Sequence, residues 1–340
     1  MPDTTQKVRH IPGFKPLVWT AGGVDTQPIP SGYILREIHL RLSFTLTTSA
    51  NLAAAAIAAG GVWGLVKRLR ILAGNEIIKD YTGEELRFLN AIWYRTFSRD
   101  RLTLGATSTA IVATLKLPFW DRGGFRPMDT ALNTSDYSNL RIEVTWGTFT
   151  DVASTGTAFS VTPQIDWTME ISTYGVDTPN SERVLLPTRI QRDVYISDIA
   201  GAVTDRPYKL STGLHSIRDM LIYTKDSSGN DAANKISTLK LISVTTTLLQ
   251  ADFQSLRDGA YLMKELREPV ISGAPVSPFQ DSQFNMDAWL YLDFAKDSFL
   301  SEAMPTALLP ELKLLLTTPS AVSNLTIVTT QLYPPMKAAA

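Results

Sequence analysis

Twice in this chain, 170 positions apart, a run of strand-forming residues passes directly into a capped helix. The first passage, VKRLRILAGNEIIKDYTGEELRFLN, begins at Val66, and the second, ISTLKLISVTTTLLQADFQSLRDGAYLM, begins at Ile236. With Leu86 laid on Leu256, Arg87 meets Arg257, Leu69 meets Leu239, Arg70 meets Lys240 and Ile71 meets Leu241. Upstream, PIPSG at Pro28 resembles PYKLSTG at Pro207, each leading into a strand through Gly32 or Gly213. Downstream, TALNTSDYSNLRIEV at Thr130 resembles TALLPELKLLL at Thr306, with Thr130 on Thr306, Leu140 on Leu312 and Arg141 on Lys313. Four matches in the same order point to a duplicated unit of about 170 residues. Two such units fill the 340 residues.

Within each unit the period is that of strands. Leu140, Ile142, Val144 and Trp146 alternate with Arg141, Glu143 and Thr145, and Val161, Ile165, Trp167, Met169 and Ile171 keep one parity around Pro163. Gly32–Thr48, Thr109–Leu117, Ile236–Leu248, Asp287–Phe294 and Leu325–Leu332 read as further strands, separated by turn chemistry such as DRGG at 121, SSGND at 227 and SGAP at 272. Only two segments read as helices. Thr82 and Glu85 form a capping box ahead of Leu86, Leu89, Trp93 and Phe97 on one face. Asp252 caps the second helix, with Leu256, Ala260 and Met263 on one face.

About eight short amphipathic strands and one helix per half leave too few helices for parallel crossovers. One face of each sheet needs another sheet over it. The expected fold is all-β: two tandem eight-stranded antiparallel jelly rolls, each with a short helix in a connection. Other all-β sandwiches fit the strand count alone. The expected organisation is an arm and lead-in over 1–31, a first jelly roll over 32–176, a second over 177–334 and a tail over 335–340. Their junction falls in TYGVDTPNSERV at 173–184.

Laid out this way, the chain resembles the double jelly-roll major capsid proteins of the lineage shared by tailless membrane-containing bacteriophages, adenovirus and large DNA viruses. The residues carrying the resemblance are WGLVKRLRILAGNEIIKDYTGEELRFLNA, LPFWD and TALNTSDYSNLRIEVTWG in the first half. In the second half they are LISVTTTLLQADFQSLRDGAYL and TALLPELKLLL. The match is one of layout, from about Gly32 to Leu332. It implies a structural protein without catalysis or cofactor, located in the virion and assembled in the host cytoplasm. Homotrimers of six jelly rolls would form pseudo-hexagonal blocks that tile an icosahedral shell, with minor capsid or penton proteins as partners and an internal membrane beneath. Two other readings stand beside it: a β-sandwich virion protein that binds a receptor or carbohydrate, and a β-sandwich glycoside hydrolase.

The chemistry offered elsewhere is sparse. There is no cysteine, which removes disulfides, thiol nucleophiles and zinc–thiolate sites together. Lys and Arg total 32 against 33 acids, so no global field draws in nucleic acid and no specific nucleic-acid site is expected. The opening MPDTTQKVRHIPGF has no apolar core of a signal peptide. Leu52–Val66 is too short and too rich in Ala and Gly for a membrane span, and reads as a buried loop or short helix feeding a strand.

Of the three histidines, His10, His39 and His215, none forms a metal motif in sequence, and His39 reads as an ordinary strand residue. No nucleophile elbow or phosphate loop occurs. KDSSGNDAAN at 225–234 gathers oxygen ligands around Asp226 and Asp231, but its order fails the EF-hand rule and it reads as a turn. EELR at 84 and Arg99–Asp100–Arg101 read as solvated faces or subunit contacts. Trp93, Trp120, Trp146, Trp167 and Trp289 read as core rather than a sugar-binding face. The basic residues Lys7, Arg9 and Lys15 lie in the lead-in, where the resemblance implies an inward arm touching neighbours or anionic lipid headgroups.

Overall fold

In a computed structural model of the chain, the described residues are 8–53, 56–58, 60–94, 102–119, 131–154, 156–172, 189–263, 279–280, 286–295 and 303–333. Among the described residues, eight main strands build the first half: β1 (Val8–Pro12), β2 (Val24–Pro28), β3 (Ile34–Thr48), β4 (Val66–Ala73), β5 (Glu76–Tyr81), β6 (Ser108–Pro118), β7 (Leu140–Trp146) and β8 (Gly156–Ser172), with two-residue strands at Leu17–Val18, Leu102–Thr103 and Leu132–Asn133 besides. Helix α1 (Gly83–Tyr94) lies between β5 and β6. The strands pair antiparallel as one long hairpin, β1 with β8, β2 with β7, β3 with β6 and β4 with β5. Rolled up, the hairpin gives two sheets, ordered β1-β8-β3-β6 and β2-β7-β4-β5. Every connection except the β4–β5 turn therefore changes sheet, the connectivity of a jelly roll.

The second half repeats this strand for strand. Its elements are β9 (Arg189–Ile199), β10 (Val203–Leu210), β11 (Ser216–Lys225), β12 (Thr238–Ser243), β13 (Thr246–Asp252), α2 (Phe253–Met263), β14 (Trp289–Asp293), β15 (Leu312–Thr318) and β16 (Val322–Tyr333). The sheets run β9-β16-β11-β14 and β10-β15-β12-β13. Each strand corresponds to the one eight places earlier, and α2 takes the place of α1. The fold is two antiparallel jelly rolls in tandem. The chain divides into two compact units, one centred on residues up to Pro187 and one on Thr188–Val270 with Phe284–Met336; Phe279–Gln280 falls with the first, pairing with Leu102–Thr103.

Alternation fills both cores. Along β3, Ile38, Leu40, Leu42, Phe44 and Leu46 are buried, and on the facing sheet so are Leu69, Ile71, Ile142 and Val144. The second core gathers Met220, Ile222, Leu239, Leu241, Leu312, Leu314, Leu316, Leu325 and Ile327. Trp146 and Trp167 are buried in the first core, Trp289 is buried on the face of its sheet away from the second core and stacks on Tyr223 at 4.1 Å, Trp93 is half-buried, and Trp120 lies outside the described residues. Val161 departs from the parity of its strand and is 56% exposed. The β3–β8 register slips between Val161 and Gln164, beside Pro163, whose missing N–H cannot hold the ladder. That slip turns Val161 to the other face.

The passage from strand to helix has a steric cause. Gly61–Leu65 forms a buried 3-10 turn ahead of β4, the short helix expected there. A Cβ on Gly83 would stand 2.1 Å from the Trp63 carbonyl oxygen, so α1 begins where only glycine can pass. Thr82 Oγ1 accepts from the Glu85 amide at 3.1 Å and Glu85 Oε2 accepts from the Thr82 amide at 3.1 Å, completing the capping box. Asp252 Oδ1 accepts from the Ser255 amide at 2.9 Å. Thr82 and Asp252 are the same 170 positions apart as the strands before them.

Several details correct the sequence reading. Ile236–Leu248 is not one strand but the β12–β13 hairpin, broken by Val244 in the left-handed region (φ 53°), where the first copy has Gly74 (φ 59°). On α2, Phe253 and Arg257 are buried, while Leu256 packs partly buried against the core. Phe97 lies outside the described residues, as do Arg99–Arg101 and the expected junction at 173–184, so the structure leaves those expectations as they stand. The partner of Thr306 is Thr134 rather than Thr130: both are buried and clasp the chain entering β3 and β11. Thr134 Oγ1 donates to the Tyr33 carbonyl (2.8 Å), and Thr306 Oγ1 donates to the His215 carbonyl (2.6 Å).

Candidate functional site

The lead-in is partly woven into the first jelly roll. Lys7 lies outside the described residues. Arg9 is exposed on β1, opposite Ile171 of β8. Lys15 is exposed in the turn that follows, and its carbonyl accepts from the Trp167 indole at 2.9 Å. The Gly13 amide donates to the Trp167 carbonyl at 2.8 Å, and a Cβ there would meet the indole at 2.2 Å. Trp167, expected as a core residue, therefore also holds the lead-in against the sheet.

On the outward face of the β1-β8-β3-β6 sheet lies a charge cluster that sequence reasoning missed. Glu37 is 2% exposed. Its Oε1 accepts from Tyr94 Oη at 2.9 Å, and its Oε2 meets Lys116 Nζ at 3.0 Å and His39 Nε2 at 3.2 Å. Arg36 Nη1 pairs with Glu170 Oε1 at 3.1 Å. A bulge puts Arg36 outside the β3–β8 ladder, and the second copy bulges at Arg218 in β11. There Arg218 pairs with Asp293, and Asp219 accepts from Tyr291 Oη at 3.2 Å. The signal was present in the sequence: LREI at 35–38 repeats as IRDM at 217–220.

The helices guard sheet edges. Asn90 of α1 donates to the Lys116 carbonyl and accepts from the Lys116 amide, both at 2.8 Å, occupying hydrogen-bonding groups of edge strand β6. Tyr261 of α2 donates to the Trp289 carbonyl of edge strand β14 at 2.9 Å. Such cover blunts edge-to-edge pairing with other chains at these points. Elsewhere apolar side chains remain in solvent. Val194 and Ile196 on edge strand β9 are 45% and 68% exposed, Val112 on edge strand β6 is 54% exposed, and Leu214 and Leu308, on either side of the Thr306 clasp, are each 80% exposed.

Among the described residues, Arg68, Tyr195 and Asp226 have shifted ionisation. Hydrogen bonding to Asp80 holds the Arg68 guanidinium even more firmly protonated than usual, against the opposing effect of burial. Burial, then the Asp193 charge, pushes the Tyr195 phenol up. Burial alone would raise the Asp226 carboxyl, but donors from Asn230, Ser228 and Gly229 outweigh it and hold it below the usual range. Asp226 Oδ1 accepts from the Ser228 and Asn230 amides at 2.8 and 2.9 Å, the hydrogen bonds of a turn. The three histidines also separate: His215 is buried beside Tyr333, while His10 and His39 come together with ring centroids 5.5 Å apart.

No protein-family model matches the chain, and no curated protein matches it in sequence. Among solved structures it is similar to a chain of the atomic structure of Sulfolobus Turreted Icosahedral Virus, with a TM-score of 0.71 and 13% identity over 97% of this chain and 91% of that one. The STIV MCP crystal structure aligns at a TM-score of 0.70 and 14% identity, covering 98% of this chain and 100% of that one. The major capsid protein P2 of bacteriophage PM2 aligns at 0.63 and 11% identity, covering 96% and 97%. The chain thus has the double jelly-roll fold of viral major capsid proteins, shared across nearly the full length of both partners.

Proposed function

We propose that the chain is a viral major capsid protein that acts by self-assembly in the virion and has no catalytic role. The observation carrying this reading is the duplication itself: two jelly rolls with one-to-one strand correspondence, in a chain that aligns end to end with capsid subunits of the same layout. Three copies of a doubled sandwich supply six similar blocks, which suits pseudo-hexagonal packing from three-fold symmetry. The exposed valine, isoleucine and leucine side chains on edge strands and near the threonine clasp are surfaces that sister copies would cover.

In this reading the homotrimer is the building block, minor capsid or penton proteins fill the remaining positions of the shell, and Lys7, Arg9 and Lys15 meet neighbours or anionic headgroups of an internal membrane. Light scattering on the eluting peak of a sizing column should give three chain masses, and electron microscopy should show blocks of pseudo-hexagonal outline. A species that stays monomeric at every concentration and forms no such block would defeat the proposal. For the arm, replacing Lys7, Arg9 and Lys15 together by Gln should weaken binding to vesicles containing phosphatidylserine. Unchanged binding would remove the lipid role and leave the capsid assignment standing.

A further inference from the structure

The geometry points to a transition-metal site on the outward face of the first jelly roll, in which His10, His39 and Glu170 hold a zinc ion between the N-terminal strand and β3. A ring nitrogen of each histidine and a carboxylate oxygen of Glu170 all lie within 4.8 Å of one another. The three come from adjacent strands: His10 on β1 faces Glu170 on β8, and β8 in turn pairs with β3, which carries His39. They are 29 and 131 positions apart in the chain, which is why no local motif marks them.

The His39–Glu170 separation suits coordination better than hydrogen bonding. His39 Nε2 stands 3.6 Å from Glu170 Oε2, beyond a hydrogen bond. It is close to the edge of a tetrahedron with metal–ligand bonds of about 2.0–2.1 Å, which is roughly 3.4 Å. His10 is exposed, so its ring can close the remaining gap by a change of rotamer.

The surroundings resemble an outer coordination shell. Arg36 grips the other oxygen of Glu170 at 3.1 Å and so fixes the orientation of its carboxylate. Glu37 Oε2 lies 3.2 Å from the same His39 Nε2, so that hydrogen bond would give way to the ion and leave Glu37, held by Lys116 and Tyr94, beside the open coordination position. Two imidazoles and one carboxylate favour zinc over calcium or magnesium, and three protein ligands leave one position for water or a further donor. Bound there, the ion would tie the first described strand to the third across β8. This inference does not depend on the capsid reading.

The test uses the full-length, tag-free chain stripped of metal with a chelator. Calorimetric titration with zinc chloride should show one ion per chain, and cobalt chloride should give the visible absorption of a tetrahedral site. His10→Gln, His39→Gln and Glu170→Gln should each weaken zinc binding at least about tenfold. His10→Gln is the safest for folding because the side chain is exposed, and its metal-free thermal melt should match the parent chain. Failure of the parent chain to bind zinc, or binding that all three variants leave unchanged, would overturn the assignment.

Discussion

The two copies differ at one backbone position in a way that sets up a reciprocal experiment. Gly74 and Val244 open equivalent two-residue hairpin turns with φ of 59° and 53°. For an L-residue that conformation costs about 1–2 kcal/mol, and a β-branched side chain makes it an outlier. Val244 is 53% exposed, so little burial is lost on removing it. Val244→Gly relieves the strain but adds about 0.5–1 kcal/mol of backbone entropy to the unfolded chain. The net stabilisation should be about 0.5–1 kcal/mol. Val244→Asn, which tolerates the left-handed region without the glycine entropy, should gain about 1 kcal/mol.

The reverse change isolates the backbone contribution. Beyond its chain neighbours, no atom lies within 4 Å of a Cβ built on Gly74, so the site is open to a side chain and the expected destabilisation of Gly74→Val, about 1 kcal/mol, is conformational. Urea unfolding at one fixed protein concentration reads all three, provided the slope is unchanged. A loss of stability in both Val244 variants, or a neutral Gly74→Val, would refute the claim that the two turns are structural equivalents under the same backbone constraint.

Three further outcomes follow from local geometry. Thr82→Ala and Asp252→Ala should each cost about 1 kcal/mol in urea unfolding, because each removes a helix cap. Gly83→Ala should cost about 3 kcal/mol, well above either cap variant, because its methyl runs into the Trp63 carbonyl, a backbone atom; the yield of soluble protein and the urea midpoint check it. The Asp226 carboxyl, followed by carbon NMR, should titrate below the usual aspartate value of about 3.9. Since its folded value is lowered, its contribution to stability is complete above the unfolded value and disappears as pH falls through the folded one, a window below about pH 4. Titration at or above 3.9 would show that the turn hydrogen bonds do not form in solution.

What was legible in the sequence was what local rules govern. The caps at Thr82 and Asp252 and the period of β7 each follow from residues within a few positions of one another, and the 170-residue repeat from matching such local patterns along the chain. Together these were enough for two jelly rolls. Long-range register was not legible. Nothing near Val161 says which face it takes, because the slip beside Pro163 is defined against β3, more than a hundred residues earlier. Likewise His10, His39 and Glu170 meet only because the chain returns to lay β8 between β1 and β3. The buried acid cluster sat between these cases. The repeated arginine–acid pair was visible, but its role depends on bulges that pairing alone reveals.

The attachment of β1 has a mechanical meaning. Five rungs, Val8 on Ser172 through Pro12 on Thr168, join it to the rest of the first jelly roll. A load applied at Val8 enters the first jelly roll by that ladder. A tug along the strand strains all five rungs at once, whereas a tug across it opens them singly, beginning with Val8. The direction of pull, more than its size, would then decide whether the start of the chain holds or peels away.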